Sequence, residues 1–262
     1  MSTEKIKFGR SNVFFDPFER RPGPIKTNMH YCPGCGHGIL HKLIAEAIEH
    51  YGIQDNTVFI APVGCAVFAY YYFNCGSISV PHGRAPAVGT GAARATPEKY
   101  VISYQGDGDL AAIGTAEVIH AAMRGEKITT IFINNAIYGM TGGQMAPTTM
   151  VGQKATTAPL GRDKDHYGSP IRMSEIIATL EGTAYATRVC VTDIGNLNKA
   201  KKAIKKAFQM QMEGKGYTFV EVLACCPTNW GKTPAASVEW LKENMIPYFP
   251  LGVYKDVDAE VK

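Results

Sequence analysis

The sequence predicts a doubly wound α/β fold with a mostly parallel sheet, an N-terminal arm and cysteine-bearing loops. Short apolar, β-branched segments alternate with amphipathic helical segments along most of the 262 residues, and the links between them are short. This length is ample for one large domain with a buried core. We therefore expect an α/β domain over 30–240, an extended arm over 1–29 that lies on another surface, and a C-terminal tail over 241–262.

Each predicted element has a local signal. Strands are predicted at 58–63, 100–103, 128–134, 187–191 and 217–223, where β-branched and aromatic residues cluster. Helices are predicted at 39–51, from about 111 to 124, at 174–181 and at 196–213, where apolar residues recur at helical spacing. Residues 139–172 are rich in Gly, Thr and Pro without a period, and such long irregular segments in compact domains usually carry function.

Composition and charge exclude several classes of protein. The net charge is only +4, and the basic run at 199–206 fits the solvated face of a helix better than a nucleic-acid surface. Apolar stretches stop well short of the roughly 18 residues that span a bilayer, and no apolar segment follows the charged N-terminus. We therefore expect a cytoplasmic protein that binds neither nucleic acid nor membrane.

Polar residues follow two successive predicted strands. The run Gly-Asp-Gly-Asp at 106–109 follows one strand, and two asparagines at 134–135 follow the next. Ligands of open α/β sheets bind at the carboxyl ends of the strands, glycines let a phosphate approach the backbone, and carboxylate and amide oxygens suit a divalent cation. Asp107 and Asn135 are therefore predicted to meet at one metal-pyrophosphate site, although Gly-Asp-Gly alone also makes ordinary turns.

The cysteines point to a metal or redox site. There are seven in a chain without an evident export signal, which disfavours a disulfide framework. Cys32 and Cys35 form a CxxC, and Cys65 and the pair Cys225 and Cys226 lie on other loops beside Gly or Pro. Structural zinc, a thioredoxin-type dithiol and an iron–sulfur cluster are the alternatives. The proline-rich segment before the CxxC disfavours the dithiol.

Taken in order, these motifs resemble the β subunits of 2-oxoacid:ferredoxin oxidoreductases. The matching stretches are YCPGCGHG, VGC, HGRAPAVGTG, the GDG–NN pair and CPTNW, which together span about residues 28–235. The likeness is greatest to the 2-oxoisovalerate and 2-oxoglutarate branches. It implies a fold of the thiamine-diphosphate-binding type. It also implies oxidative decarboxylation of a 2-oxoacid with coenzyme A to acyl-CoA and CO₂, the electrons passing through a 4Fe–4S cluster to ferredoxin.

The resemblance also implies how thiamine diphosphate and Mg²⁺ are bound. Asp107, Asn135 and the main chain of Ile137 would hold Mg²⁺, while Gly106 and Asp109 would lie against the diphosphate. The full set of cofactor-binding positions that it implies is Gly64, Cys65, His82, Gly106, Asp107, Gly108, Asp109, Asn135, Ile137, Gly139 and Thr141.

The cluster ligands follow from the same resemblance. They are Cys32, Cys35, Cys65 and, by its CPT context, Cys226, with Cys225 as the rival for the last position. Four thiolates suit zinc equally well, so a structural zinc site stays open as the alternative.

Two further residues precede a Gly/Pro-rich segment at 85–91, which we expect to be a loop near the cofactor. His82 could exchange protons and Arg84 could pair with a carboxylate or phosphate, which makes both candidate catalytic residues; alternatively, both only brace the loop. The stretch 141–144 could close over the substrate. Some relatives carry lysine in place of Gly142, and its absence either favours a substrate without a distal charge or shifts that contact to another residue.

The resemblance implies partner subunits. An α subunit would supply the glutamate that activates the thiamine, because no glutamate of this chain has a suitable context, and γ and ferredoxin-like subunits would complete the complex. The polypeptide alone would then be inactive. The alternatives are a non-oxidative thiamine-dependent decarboxylase or synthase subunit with structural zinc, and a metal-binding scaffold without cofactor.

Overall fold

The computed structural model describes residues 11–15 and 29–259, and these contain a sheet of seven strands. The strand order is β2–β1–β3–β4–β6–β5–β7, and every neighbouring pair is parallel except β5 and β7. The strands are β1 (Thr57–Pro62), β2 (Gly76–Val80), β3 (Tyr100–Gly106), β4 (Ile128–Asn134), β5 (Thr183–Cys190), β6 (Tyr217–Leu223) and β7 (Gly252–Asp256). The predicted α/β fold with a mostly parallel sheet is confirmed.

Helices cover both faces of the sheet. They are α1 (His37–Tyr51), α2 (Ala85–Ala95), α3 (Thr115–Met123), α4 (Lys164–Tyr167), α5 (Met173–Ala178), α6 (Ile194–Met212), α7 (Pro227–Trp230), α8 (Pro234–Trp240) and α9 (Ile246–Tyr248). One core layer joins α1 and α6 to the sheet, and the other joins α2, α3 and α5 to its opposite face. In β4, Ile131 packs into the first layer and Phe132 into the second. Burial on both faces explains why the central strands read as continuous β-branched and aromatic runs.

Shorter turns complete the chain trace. The 3₁₀ helices are Gln54–Asn56 and Cys65–Tyr71, and the π-helical turns are Asp109–Ile113 and Leu241–Met245. Residues 139–172, predicted to be irregular, contain the single helical turn α4 and are otherwise irregular, with isolated bridges such as Tyr138 to Gln144. None of the helices in the described part of the chain is both long enough and apolar enough to cross a membrane.

The structure corrects two expectations about local structure. Residues 85–91, expected to be a loop, begin helix α2, with Pro86 in its first turn. A Cβ on Gly89 would lie 3.2 Å from Cδ1 of Ile128, so this glycine permits close helix–sheet packing and does not break the helix. Residues 241–259, expected to be part of a tail, contain the helical turns to Tyr248 and strand β7, whose Asp256 pairs with Lys206.

Most of the expected N-terminal arm lies outside the described residues. Within 11–15, Val13 is buried in the first core layer and Phe14 forms a bridge with Phe73, whose ring lies 5.3 Å away. This short piece packs on the chain's own domain.

A buried ion pair joins the strands on the side of β5. The Arg188 side chain is fully buried, and its Nε lies 2.8 Å from Oε2 of the equally buried Glu221. Its guanidinium also donates to both oxygens of Glu175, at 3.0 and 2.5 Å, and to the Tyr254 hydroxyl at 2.5 Å. Burial alone would lower the pKa of Arg188, but Glu221 and Glu175 raise it above the usual value. One cation thus links β5, β6, α5 and β7.

Replacing this cation is expected to destabilise the fold. Arg188→Met leaves Glu221 buried without a counter-ion, which should lower the free energy of unfolding by about 3–5 kcal/mol. Urea denaturation of the variant measures the loss. Lys201→Met, which removes a partly exposed pair with Glu46, is the control and should cost less than about 1 kcal/mol. Equal losses in the two variants would contradict the role assigned to Arg188.

Candidate cofactor and metal site

Asp107 and Asn135 lie at the carboxyl ends of adjacent parallel strands. Gly106 pairs with Ile133 in the β3–β4 ladder, and each polar residue lies within two positions of that pair. Both side chains line one cavity, whose wall also contains Ile137. The structure therefore brings together the residues that the sequence assigned to Mg²⁺.

Asp107 is a buried carboxylate held in a fixed orientation. Its Oδ1 accepts a hydrogen bond from the Gly108 amide at 2.9 Å, and its Oδ2 accepts from the Ile137 amide at 3.2 Å and the Thr148 hydroxyl at 2.7 Å. Burial raises the pKa of Asp107 to about 6, although these hydrogen bonds lower it. A cation in the cavity would favour the charged form of this carboxylate.

Asn135 supplies an unsatisfied oxygen. Its side chain is only 6% exposed, and Oδ1 is buried without a hydrogen-bond partner among the described residues. Buried polar atoms without partners are rare in folded proteins, and a bound ion can satisfy such an atom. An amide oxygen and a carboxylate in one cavity are the donors that a hard divalent cation takes, so the residues present fit Mg²⁺.

The glycines beside Asp107 permit a close approach of the backbone. A Cβ on Gly108 would lie 2.2 Å from the ring of Tyr138, whose hydroxyl donates to the Gly108 carbonyl at 2.9 Å. Gly106 has open space where a side chain would project, and it lines the cavity. At Gly106 the wall is therefore bare main chain, as a bound diphosphate requires, whereas the absence of a side chain at Gly108 makes room for the Tyr138 ring.

Asp109 anchors a neighbouring loop. Its Oδ1 accepts from His82 Nδ1 at 2.5 Å and from the Gly83 amide at 2.6 Å, and its Oδ2 accepts from Gln105 at 2.5 Å. Asp109 and His82 both line the cavity, but the carboxylate is already engaged by its own chain. The hydrogen bond with Asp109 thus holds His82 in place, while part of the imidazole ring stays accessible.

Arg84 contacts a neighbouring helix. It precedes α2 and forms an ion pair with Glu117 of α3, and it is absent from the cavity lining within the described residues. The expected loop at 85–91 is a helix that packs against α3, which explains why Arg84 meets Glu117.

Two cysteines flank the wall of the same cavity. A Cβ on Gly139 would lie 3.3 Å from Cys65 Sγ and 3.7 Å from Cys226 Sγ. Cys65 and Gly139 line the cavity, as do Gly64 and Thr141. The loop with Cys65 and the loop with Cys226 therefore meet beside the candidate Mg²⁺ site.

The CxxC turn packs onto the Cys226 loop. The Cys35 amide donates to the Cys32 carbonyl at 3.1 Å, and the next amide, of Gly36, approaches the Cys225 carbonyl at 3.4 Å. A Cβ on Gly36 would lie 2.5 Å from the Ala224 side chain, so only glycine permits this contact.

The thiols of this region influence one another. The pKa of Cys35 and that of Cys65 are both raised to about 12, chiefly by burial and in part by the neighbouring thiol of Cys226. Cys32 adds a smaller contribution to each. Across residues 11–15 and 29–259, no three His, Cys, Asp or Glu side chains converge as the ligands of one metal ion would.

The two adjacent cysteines face different surroundings. Cys225 lies in an apolar cluster with Cys190, Leu223 and Phe249, whereas Cys226 packs with Ile137. Burial raises the pKa of Cys225 to about 12, with smaller contributions from Cys226 and Cys190. Cys226 is therefore the member of the pair beside the cavity.

Three contacts in this region have no counterpart in the sequence-based prediction. Trp230 Nε1 donates to the Asn135 carbonyl at 3.0 Å. Asn229 Nδ2 donates to the Gly139 carbonyl at 2.8 Å and lies 3.5 Å from Cys226 Sγ. Both residues belong to the CPTNW stretch, which signalled the region but not these contacts. The hydrogen bond from Thr148 to Asp107 was not predictable either, because nothing in the sequence around Thr148 marks it beyond the irregular segment in which it lies.

A buried histidine adjoins the cavity. His37 lines it, and its Nδ1 lies 2.7 Å from the Tyr104 hydroxyl, while its ring stacks on Tyr31 with centroids 4.8 Å apart. Burial lowers the pKa of His37 to about 3, so the ring is neutral at physiological pH.

Apolar side chains form part of the cavity wall. Val63, Ala66 and Met140 line it, and no lysine, arginine or glutamate occurs in the lining formed by the described residues. Gly142 has a φ of +105°, a backbone conformation that other residues rarely adopt. This geometry gives a backbone reason for the absence of lysine at this position.

Comparison with known proteins agrees with this arrangement. Residues 62–222 match the family described as thiamine pyrophosphate enzyme, C-terminal TPP binding domain. The chain is 53% identical over 260 residues to the ketoisovalerate oxidoreductase subunit VorA of Methanothermobacter thermautotrophicus, covering 99% of this chain but 54% of that protein. It is 40% identical over 236 residues to the 2-oxoglutarate synthase subunit KorB of Methanocaldococcus jannaschii, covering 88% and 82% of the two chains.

A solved structure supports the fold. The 2-oxoglutarate:ferredoxin oxidoreductase of Magnetococcus marinus, with 2-oxoglutarate, coenzyme A and succinyl-CoA bound, superposes with a TM-score of 0.71 at 24% identity, over 95% of this chain and 89% of that chain. Nearly all of this chain matches the VorA relatives, but it spans only about half of their length. It therefore belongs to the thiamine pyrophosphate enzyme family, among the subunits of 2-oxoacid:ferredoxin oxidoreductases.

Proposed function

We propose that this chain is the thiamine-diphosphate-binding subunit of an enzyme that oxidatively decarboxylates a 2-oxoacid with coenzyme A to acyl-CoA and CO₂. The observation that carries the proposal is the shared cavity of Asp107, the unsatisfied Asn135 oxygen and Cys65. A cation site and a thiol on one wall suit a reaction that releases electrons beside a cofactor. The names of the VorA and KorB relatives support this activity.

The chain's own residues would hold the cofactor in place. Asp107, Asn135 and the main chain of Ile137 would bind Mg²⁺, and the bare backbone at Gly106 would accept the diphosphate, with the main chain of Gly108 beside it. When bound, thiamine diphosphate supplies an electron sink for loss of CO₂, which no side chain of this protein can provide. His82, held by Asp109, is the residue of the lining best suited to exchange a proton.

We further propose that Cys32, Cys35, Cys65 and Cys226 bind a 4Fe–4S cluster. Four cysteine thiolates are the usual ligands of such a cluster, and they bind different irons, so they need not converge on one point as zinc ligands do. Buried thiols with raised pKa values must lose their protons when metal binds. Because Cys65 also lines the cavity, electrons would leave the cofactor by a short route.

The site needs a second polypeptide. No glutamate lines the described cavity, so the glutamate that activates thiamine would come from an α subunit. The relatives are named as subunits, which supports a complex that also contains γ and ferredoxin-like subunits and reduces ferredoxin. Ferredoxin and coenzyme A are reactants of the cytoplasm, and we propose that location.

The apolar lining favours a branched-chain 2-oxoacid such as 2-oxoisovalerate over 2-oxoglutarate. Val63 and Met140 would contact an aliphatic side chain, whereas a distal carboxylate would meet no lysine or arginine in the lining formed by the described residues. The likeness to VorA, named as a ketoisovalerate oxidoreductase subunit, agrees with this choice.

Loss of the Asp107 carboxylate should abolish cofactor retention. In the assembled complex, Asp107→Ala is expected to weaken Mg²⁺-dependent binding of thiamine diphosphate by at least about 100-fold, because a charged metal ligand is removed. Equilibrium dialysis measures the affinity. The control, Asp55→Ala, changes a carboxylate remote from the cavity and should leave it unchanged. Stoichiometric retention of the cofactor by Asp107→Ala would refute this Mg²⁺ site.

The two adjacent cysteines should behave differently. The cluster of this chain contributes iron and visible absorption to the purified complex, and Cys226→Ser is expected to lose both contributions. Cys225→Ser should keep both, because Cys225 lies in the apolar cluster with Cys190, Leu223 and Phe249. Iron analysis per chain and absorption spectra decide the matter. One zinc per chain and no iron in the wild-type subunit would instead support the non-oxidative alternative.

A new cation in the lining should change substrate preference. Thr141→Lys is expected to raise the ratio of kcat/KM for 2-oxoglutarate to that for 2-oxoisovalerate by about tenfold, since a charged hydrogen bond contributes roughly 1.5–3 kcal/mol. Thr141→Met is the control for added side-chain volume. A wild-type complex that already prefers 2-oxoglutarate would contradict the assignment.

A further inference from the structure

The first asparagine of the 134–135 pair makes contacts that the proposed function leaves unexplained. Asn134 is fully buried at the end of β4, and its Nδ2 donates to Oε1 of Glu221 at 2.8 Å. Its own Oδ1 accepts from the Ala136 amide at 3.3 Å. The side chain therefore bridges a buried carboxylate and the residue immediately after Asn135.

Glu221 is itself held firmly. Its Oε2 accepts from the Ser174 hydroxyl at 2.6 Å and lies 2.8 Å from Arg188 Nε. An ionised carboxylate can only accept hydrogen bonds, so Asn134 must present its NH₂ group to Glu221. The amide oxygen of Asn134 is then left facing the Ala136 amide.

Ala136 has the backbone conformation that this contact helps to maintain. Its φ is +58°, and it is the one residue other than glycine with positive φ in the described ranges. Such a conformation persists only where the surroundings enforce it. The Ala136 carbonyl also accepts from the Thr149 hydroxyl at 2.7 Å and from Gln153 Nε2 at 3.2 Å.

Asn135 lies between these fixed points. The strand residue before it is held by Glu221, and the strained residue after it is held on both its amide and its carbonyl. In the middle, the Asn135 oxygen is buried and, among the described residues, unsatisfied. A turn held in this way fixes the direction of one side chain at the cost of local strain.

We propose that Asn134 and Glu221 are positioning residues for the metal site. The acceptor-only carboxylate of Glu221 fixes the orientation of the Asn134 amide, which holds the turn that presents Asn135 to Mg²⁺. This inference rests on the Mg²⁺ site of the proposed function. It assigns to Glu221 a task beyond neutralising the charge of Arg188.

A reversal of donor and acceptor tests the pairing. Asn134→Asp sets two carboxylates against each other, and Glu221→Gln offers an amide that can turn its own donor toward Asn134. In the double variant, the new amide at position 221 can donate to the new carboxylate at position 134, which still accepts from the Ala136 amide. The amide oxygen at position 221 then accepts from Ser174 and stays close to Arg188 Nε. The hydrogen-bond pattern and the net charge are both restored.

The readout is Mg²⁺-dependent binding of thiamine diphosphate to the assembled complex, measured by equilibrium dialysis, with Mn²⁺ binding followed by electron paramagnetic resonance. Each single variant is expected to weaken binding by about 10- to 100-fold, the usual effect of losing a group that orients a metal ligand. The double variant should return to within about threefold of the wild type, because the two changes compensate.

A matched control separates positioning from general loss of stability. Gln211 is a buried residue of α6 that contacts the opposite end of β4. It accepts a hydrogen bond from the Thr129 hydroxyl and donates to the carbonyls of Val101 and Lys127. Gln211→Met should lower the unfolding temperature and leave cofactor affinity unchanged.

Several outcomes would overturn the inference while the wild type binds normally. They are unchanged affinity in both single variants, tighter Mg²⁺ binding in Asn134→Asp, and additive losses in the double variant. If a single variant fails to assemble, the double variant decides alone, since affinity at least about tenfold below the wild type refutes the pairing. A wild-type complex that binds no thiamine diphosphate would overturn the proposed function as well.

Discussion

The parallel pairing of β3 with β4 is the constraint on which the rest of the site depends. The ladder aligns Gly106 with Ile133, so Asp107 and Asn135, which lie one and two positions beyond this pair, both line one cavity. A shift of this register by one residue would turn every side chain of a strand to the other face. Because both faces of β4 are packed, by Ile131 on one side and Phe132 on the other, such a shift is strongly opposed.

The second feature that organises the site is the single-turn helix α7. Its Trp230 bonds the Asn135 carbonyl, and its Asn229 bonds the Gly139 carbonyl beside Cys226. The loop that follows β4, with Asn135 and Gly139, and the loop that contains Cys226 are therefore held to each other by hydrogen bonds. Chemistry that needs two cofactors at a fixed separation benefits from such a connection, since neither loop can move alone.

The sequence predicted the central fold well because the central strands are buried on both faces. The predicted 128–134 and 217–223 coincide with β4 and β6. Short edge strands carry weaker patterns, so β2 and β7 were missed, and glycines that serve close packing made α2 resemble a loop. Residue spacing placed Asp107 and Asn135 at the correct strand ends. Residue spacing could not predict the directions of side chains. These directions place Cys225 and Cys226 in different surroundings and let Arg84 form its ion pair with Glu117.

The bond from Trp230 to the Asn135 carbonyl has an optical consequence. The chain contains two tryptophans, Trp230 and Trp240, and their rings lie 4.6 Å apart. The tryptophan fluorescence of this subunit therefore comes from two neighbouring rings, one of which is hydrogen-bonded to the carbonyl of Asn135 in the cavity wall. The protein carries its own fluorescent probe of that wall, and no dye label is needed to observe it.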